Sequence, residues 1–377
     1  MANKSRFGSR ALALQKVLPS AAAVFSALLV CFLALGISRI GFPGAVSAYV
    51  QMLFGGLGDL PRYFETGLAS SLTRPLGETG VKATLLLLTG LSVSVAFAAG
   101  LFNIGAQGQM LVGALVAAVV GLHGGSHPWI ALPLCLVSAA AGGALYAWPA
   151  AVLKRRRGVH EVLSTIMLNW VAVNLIENWL VVGPLRAHAS GTQSRAGTEE
   201  ILLSARLPRF FTDGSRLNLG LVIAFVLAAL VWLWLYRTWR GFETRTVGLN
   251  VLAAETAGMP VARRLDEAMA ISGALAGVAG AVLVLGTEFQ YPSILNAPYG
   301  FDGIAMAMIG QGHPLGVTVA ALFFGAMRAG GTRLQLLGIH KSFPELVQGL
   351  ALLGVAAPLA WQRLFVRGKP SAPTPGD

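Results

Sequence analysis

Residues 236–269 read YRTWRGFETRTVGLNVLAAETAGMPVARRLDEAM. The stretches on either side, 217–235 and 270–285, are almost pure hydrocarbon and apolar enough to cross a bilayer. A patterned, charged connection between two such runs belongs to a polytopic membrane protein with ordered structure at a membrane surface. Within it, Asn250 is a good N-cap, Ala253, Ala254 and Ala257 favour helix, Gly258 can close the helix and Pro260 stops it. Arg237, Arg240, Arg245, Arg263 and Arg264 flank this short helix and place it on the cytoplasmic side. A helix so placed is suited to receive force from a soluble partner.

Composition agrees. The chain has 377 residues, 55% hydrophobic and only 12% charged, with a mean hydropathy of +0.67, whereas soluble domains carry about 25% charged residues. The 46 glycines suit helices that approach closely inside a membrane. The net charge of +12 sits in the connections between apolar runs, which is the pattern of a positive-inside membrane protein rather than of a nucleic-acid partner. Cys31 and Cys135 lie in apolar runs and read as small core residues.

The expected fold is an all-α transmembrane helix bundle of about nine to ten spans, some re-entrant or broken. The runs are 17–37, 81–99, 109–122, 129–153, 162–182, 217–235, 270–285, 303–309, 315–329 and 343–361. Residues 42–57 are half-apolar and read as an external or interfacial helix. The domain reading is a basic cytoplasmic N-terminus over 1–16, a transmembrane domain over 17–362 with the cytoplasmic surface segment at 237–266, and a polar, Pro-rich disordered tail over 363–377. Basic clusters at the N-terminus, at Lys154–Arg157, in the opening segment and after Arg363 put both termini in the cytoplasm; the loops 121–128 and 288–298 contain no Lys or Arg.

Polar residues within the apolar runs are the candidates for function. In AGLFNIGAQGQMLVGAL, 99–115, Gly100, Gly105 and Gly108 interrupt the run and Asn103, Gln107 and Gln109 place amides beside the interruption. Either an unwound backbone meets a polar solute there, or the amides serve helix packing. Asn169 and Asn174 lie in the run 162–182, where Glu177 shares a face with Asn174 and is either functional or exposed to water. Asp302 precedes a short apolar half-span and either caps it or contacts solute. Gly273 and Gly277 form a GxxxG packing face, and Arg328 is expected to snorkel to the interface. There is no phosphate loop, no HExxH, no paired-Cys motif and no nucleophile elbow, and the six histidines show no ligand spacing. These absences point away from an enzyme and from ATP hydrolysis by this chain. An ATP-independent secondary transporter or channel for a small polar solute is the alternative.

Five ordered blocks carry a family resemblance: GLFNIGAQGQMLVGAL at 100–115, EVLSTIMLN at 161–169, TVGLNVLAAETAGM at 246–259, SGALAGVAGAVLVLG at 272–286 and GFDGIAMAMIGQGHPLG at 300–316. Over 79–354 the chain resembles the permease subunits of bacterial ABC importers of the branched-chain amino acid, ribose and simple-sugar class, nearest the nucleoside permeases. It departs from the usual blocks at Gln107, where an acidic residue is commoner, and at GQGHPLG. The resemblance implies a path for a nucleoside or simple sugar across the bacterial inner membrane, and the polar residues singled out above, Asn103, Gln107, Asn169, Asn174 and Asp302, are the candidates to line it. It implies coupling to ABC ATPase subunits through Arg245, Gly248, Asn250, Ala253, Ala254, Glu255 and Gly258. It also implies a second permease subunit, identical or different, a periplasmic or lipid-anchored solute-binding protein and surrounding membrane lipid. This chain binds no cofactor and no nucleic acid on that reading; ATP and Mg belong to the partner ATPase.

Overall fold

A computed structural model describes residues 2–125, 127–187, 197–211, 214–295 and 298–356, with side chains from residue 19 onward. Among these residues there is no β-strand, only isolated bridges at Gly197–Pro292 and Arg209–Asn218. The helices in chain order are α1 (Ala2–Ile37), α2 (Gly41–Leu57), α3 (Leu60–Thr66), α4 (Ser70–Ala98), α5 (Ala106–His123), α6 (Pro128–Arg157), α7 (Glu161–Leu175), α8 (Gly220–Arg237), α9 (Trp239–Leu249), α10 (Val251–Thr256), α11 (Val261–Leu283), α12 (Tyr299–Ile309), α13 (Pro314–Leu334) and α14 (Phe343–Ala356). One compact unit contains the described residues up to Ser47 together with Phe343–Ala356, and in it α1 packs on α14; the other is Ala48–Ser342.

Seven helices among the described residues are long and apolar enough to cross a membrane, so the expected nine to ten spans are not reached. The reasons are local. Helix α12 has 11 residues, too few for a span. Helix α7 runs on through a π-helical turn, Ile176–Leu180, but Asn169, Asn174, Asn178 and Glu177 dilute its hydropathy. Helix α14 is described for 14 residues, and the end of the expected run lies outside the described residues, as does the 363–377 tail. The residues read as a separate basic N-terminus are helical from Ala2 and continue directly into the first apolar helix.

In the larger unit, α11 is the central helix, packed against α4, α5 and α6. Its glycines explain how closely its neighbours come. A Cβ on Gly277 would lie 2.2 Å from the Ala139 carbonyl oxygen of α6, and one on Gly280 would lie 2.0 Å from that of Met110 on α5. Backbone meets backbone there, which only glycine permits and which supplies the van der Waals contact that holds membrane helices together. Gly273 likewise faces Gly143. The expected GxxxG packing face is present. Within α4, Thr84 and Thr89 donate to Gly80 O and Leu85 O, so neither hydroxyl is left unsatisfied in the apolar interior. Cys31 and Cys135 are buried and unpaired, as small core residues.

The described residues 197–207 are tied to the end of α11 and the loop after it. Leu207 donates its N–H to Leu285 O, Ile201 to Phe289 O and Thr198 to Tyr291 O. Glu177 does not face water: it is buried, accepts the Leu295 N–H at 3.0 Å and lies 3.5 Å from the Tyr291 hydroxyl. Burial, and then the neighbouring Glu177 charge, push the Tyr291 hydroxyl far above its usual range.

Candidate functional site

The site begins with a break between two helices. Helix α4 stops at Ala98, and Gly100, at φ 73°, turns the chain so that Leu101 N–H reaches back to Ala96 O. The backbone freed before α5 needs partners in an apolar surrounding, and amide side chains supply them. Asn103 accepts the Gly105 N–H at 2.9 Å through Oδ1 and donates through Nδ2 to Gln109 Oε1 and Ser272 Oγ, both at 2.8 Å. Ser272 in turn donates to Ser92 O on α4. Asn169, from α7, accepts the Gly108 N–H at 2.8 Å and donates to Ile104 O at 2.9 Å. Gln107 Oε1 accepts the Gly300 N–H at 2.9 Å, at the first turn of α12.

Asn103, Gln107 and Asn169 are therefore brought together around one break and bonded to their own chain. Asn174 is not brought to it: it stays exposed, donating to Trp170 O and accepting from Asn178.

Two residues beyond Gly300 lies a charged cluster. Asp302 Oδ2 accepts from Arg328 Nη1 at 2.6 Å, Lys82 Nζ donates to Arg328 O at 2.9 Å, and the Arg328 guanidinium lies 5.9 Å from the Tyr299 ring centroid. Asp302 does not cap the half-helix. Helix α12 starts at Tyr299, four residues earlier than the apolar run suggests, and the carboxylate inside its first turn reaches across to α13. Arg328 does not snorkel; Asp302 offers a nearer anion than the membrane surface. Lys82 was missed, although it stands alone as a cation just inside the apolar run 81–99, where an ionisable side chain is a functional signal. A helix N-terminus, two cations, one carboxylate and the Gln107 amide thus converge on α12, a mix of donors and acceptors suited to a polar, oxygen-rich solute.

The surface segment is a pair of helices rather than one. Thr238 caps α9 by accepting the Gly241 N–H at 3.1 Å, a signal visible in the sequence but not used. Asn250 caps α10, accepting from Ala253 N–H at 3.0 Å. Gly258, at φ 76°, closes it as expected, its N–H reaching Glu255 O while Met259 N–H reaches Ala254 O. Ala254 is fully buried in a cluster with Val247 and Val261. Ala253 and Glu255 remain exposed, and Leu249 and Leu252 are 89% and 73% exposed, an apolar tip without cover in this chain.

Two arginines expected on the surface are structural. Arg264 is 1% exposed, donates to Glu243 at 2.6 Å and also to Glu267, and lies 4.9 Å from the Trp239 ring. Arg245 donates to Leu235 O at 3.0 Å above the Tyr236 ring. Both tie α9 to the adjoining spans.

This surface pair touches the break directly. A Cβ on Gly248, in the last turn of α9, would lie 2.3 Å from Ala98 O and 2.8 Å from Gly100 N. Next to it, Glu161 accepts the Phe102 N–H at 3.3 Å and pairs with Lys154 at 2.9 Å, binding the α6–α7 turn to the same break. His313, before α13, accepts the Leu315 N–H through Nδ1 and lies 5.0 Å from the Tyr236 ring; burial holds its imidazole below the usual range. Among the described residues no group of three His, Cys, Asp or Glu side chains is placed to hold a metal.

With this geometry in place, comparison with known proteins is informative. Residues 76–356 match the family described as branched-chain amino acid transport system / permease component. The chain is 39% identical over 299 residues to the guanosine ABC transporter permease protein NupP of Bacillus subtilis, covering 78% of this chain and 84% of that one. It is 30% identical over 341 residues to the nucleoside ABC transporter permease protein NupB of Lactococcus lactis, covering 88% and 92%. It is also 30% identical over 285 residues to the glucose ABC transporter permease protein TsgB13 of Haloferax volcanii, covering 74% and 75%.

Proposed function

The chain belongs to the family of branched-chain amino acid transport system permease components, and from that premise we propose that it forms the translocation path of an ABC importer for a nucleoside. The observation that carries the coupling half is the contact of Gly248 with Ala98 and Gly100: a surface helix pair with an exposed apolar tip rests on the break that frames the polar cluster. A separate ATPase docks on α10 and its neighbours, through Leu249, Leu252, Ala253 and Glu255. Its movement reaches the break through α9, and the break carries Gln107 and the start of α12 with it.

The solute meets Asp302, Lys82 and Arg328, while Asn103, Gln107 and Asn169 hold the backbone that shapes the path. Most relatives reported above carry nucleoside or guanosine transport in their names, which favours that substrate over glucose. Relatives of this kind also favour a second permease subunit and a solute-binding protein. The distribution of Lys and Arg favours an inner-membrane protein with α9 and α10 facing the cytoplasm.

Reconstitution tests the proposal. Liposomes containing this chain alone show neither ATPase activity nor uptake. With ATPase, second permease and binding protein added, guanosine uptake requires ATP, survives collapse of ion gradients and resists competition by glucose. Accumulation driven by an ion gradient without ATPase would overturn the coupling half. Competition by glucose alone would overturn the substrate half.

A further inference from the structure

Helix α7 has two faces, and the described residues cover one of them. Inward it buries Ser164, Thr165, Asn169 and Ala172, and it packs on α5 and α6; its π-helical continuation buries Glu177. Outward it exposes Leu163, Met167, Trp170, Val171 and Asn174, then Asn178 and Trp179 in the π-helical turn. The exposed positions recur at steps of three and four residues, so they form one stripe along the helix.

That stripe is poorly matched to lipid. Helix α7 starts at Glu161, which pairs with Lys154 in the basic α6–α7 turn. At about 1.5 Å per residue, Trp170 stands about 14 Å from Glu161, Asn174 about 20 Å and Asn178 about 25 Å, all within a hydrocarbon core roughly 30 Å thick. Asn174 donates to Trp170 O at 2.8 Å, and Asn178 donates to Asn174 Oδ1 at 3.0 Å. An amide side chain carries two N–H donors and a carbonyl oxygen, so one N–H of each residue and the Asn178 Oδ1 have no partner among the described residues. Lipid tails can satisfy none of these groups. Trp170 is 64% exposed but lies near mid-bilayer, away from the headgroup belt where tryptophan is enriched. A large indole with an N–H to satisfy is instead a frequent anchor of protein interfaces. Helix α8 shows the contrast. Between Val222 and Leu233 its exposed side chains are Val222, Phe225, Val226, Ala229, Leu230 and Leu233, all hydrocarbon.

We propose that the outer stripe of α7 is where the second permease subunit packs, through a neutral spanning helix whose amide or hydroxyl groups meet Asn174 and Asn178 while Trp170 is buried between the two helices. The stripe itself carries no charge, which suits a partner inside the membrane rather than a soluble one. This contact presupposes an importer with two permease subunits and names the surface that joins them. Asn169 and Glu177, on the inner face, hold the break before α5 and the Leu295 backbone, so one helix links the partner subunit to the frame of the path.

Photocrosslinking in the assembled transporter of this chain, second permease and ATPase tests the contact. p-Benzoylphenylalanine replaces Val171 on α7 or, as the control, Leu230 on α8; the two positions are 51% and 52% exposed in this chain. The α7 probe gives a covalent product with the second permease, and the α8 probe does not. Asn174→Leu/Asn178→Leu lowers retention of the second permease about tenfold. The same variant, expressed alone, keeps a thermal midpoint at or above the wild-type value, and ATPase capture through α10 persists. A product from the α8 probe with none from α7, or unchanged retention in the double variant, would overturn this interface and leave the two-permease importer standing. Crosslinks from α7 to lipid alone would overturn it in favour of a bilayer-facing surface. A product of two copies of this chain, formed equally without the second permease, would overturn it in favour of self-association. Unchanged retention with a raised solute KM would overturn it in favour of a solute contact. No association of the wild type with any second permease would overturn the two-permease reading, and this contact with it.

Discussion

Replacing Gly248 with alanine isolates the mechanical link between the surface helix pair and the break in the spans. The new methyl group would stand 2.3 Å from the Ala98 carbonyl oxygen, 2.8 Å from Gly100 N and 3.0 Å from the Ala98 carbonyl carbon. All three are backbone atoms, so no rotamer change relieves the overlap. Restoring ordinary contact at 3.4 Å requires the α9 end and the Ala98–Gly100 turn to part by about 1.1 Å. Overpacking of this kind costs about 1–3 kcal/mol, about 5- to 150-fold in an equilibrium that both sites share.

The expected result is a transporter that still assembles with its ATPase, because Leu249, Leu252 and the α10 caps are unaltered. ATP hydrolysis continues, but uptake per ATP falls by about tenfold or more. Gly258→Ala is the contrasting variant: nothing lies within 4 Å of its added Cβ, but its φ is 76°. It loses about 1–2 kcal/mol of local stability and weakens ATPase capture rather than coupling. Wild-type uptake per ATP in Gly248→Ala, at equal expression and thermal stability, would refute transmission through this contact.

Other variants test the frame and the polar cluster. Arg264→Gln leaves Glu243 and Glu267 facing each other at a buried position; loss of one partner in such a network costs about 3 kcal/mol and lowers the thermal midpoint by several degrees, with Arg264→Lys restoring only part. Asn169→Ala strips partners from Gly108 N–H and Ile104 O, at about 1–3 kcal/mol for each group left unsatisfied, so both the unfolding midpoint and uptake fall; unchanged values would remove Asn169 from the frame. Asp302→Asn takes the anion from Arg328 and lowers stability and uptake together. Adding Arg328→Gln restores the thermal midpoint but not uptake, whereas restored uptake would show the cluster to be structural. The lowered His313 pKa makes the neutral ring the folded form, so its stabilising contribution is complete above its ordinary value of 6.5 and is lost as pH falls below it. Thermal midpoints between about pH 7 and pH 5 therefore fall more steeply in the wild type than in His313→Asn, which caps α13 without titrating.

What the sequence determined by itself was local. Apolar runs located most spans, because transfer into a bilayer depends on composition within one segment. The ends of α10 were legible in Asn250 and Gly258, and the helix break in Gly100 and Gly105, because capping and left-handed turns act within about four residues. The glycines of α11 announced close packing, but not which helices would occupy the space. The family, and with it the transport role, was legible in the five ordered blocks.

Tertiary structure alone decided which polar groups meet. Lys82 and Arg328 are 246 positions apart, and nothing in the sequence indicates that Lys82 on α4 meets the Arg328 carbonyl on α13 or that the Arg328 side chain pairs with Asp302 on α12. Arg264 was read as a surface charge because arginines beside a span usually are; its burial follows from Glu243 on α9 and Glu267 on its own helix closing around it. Amides expected at the solute became holders of backbone for the same reason: an unpaired N–H or C=O in hydrocarbon costs several kcal/mol, and whether an amide serves the chain or a solute depends on which backbone groups the packed helices bring within about 3 Å.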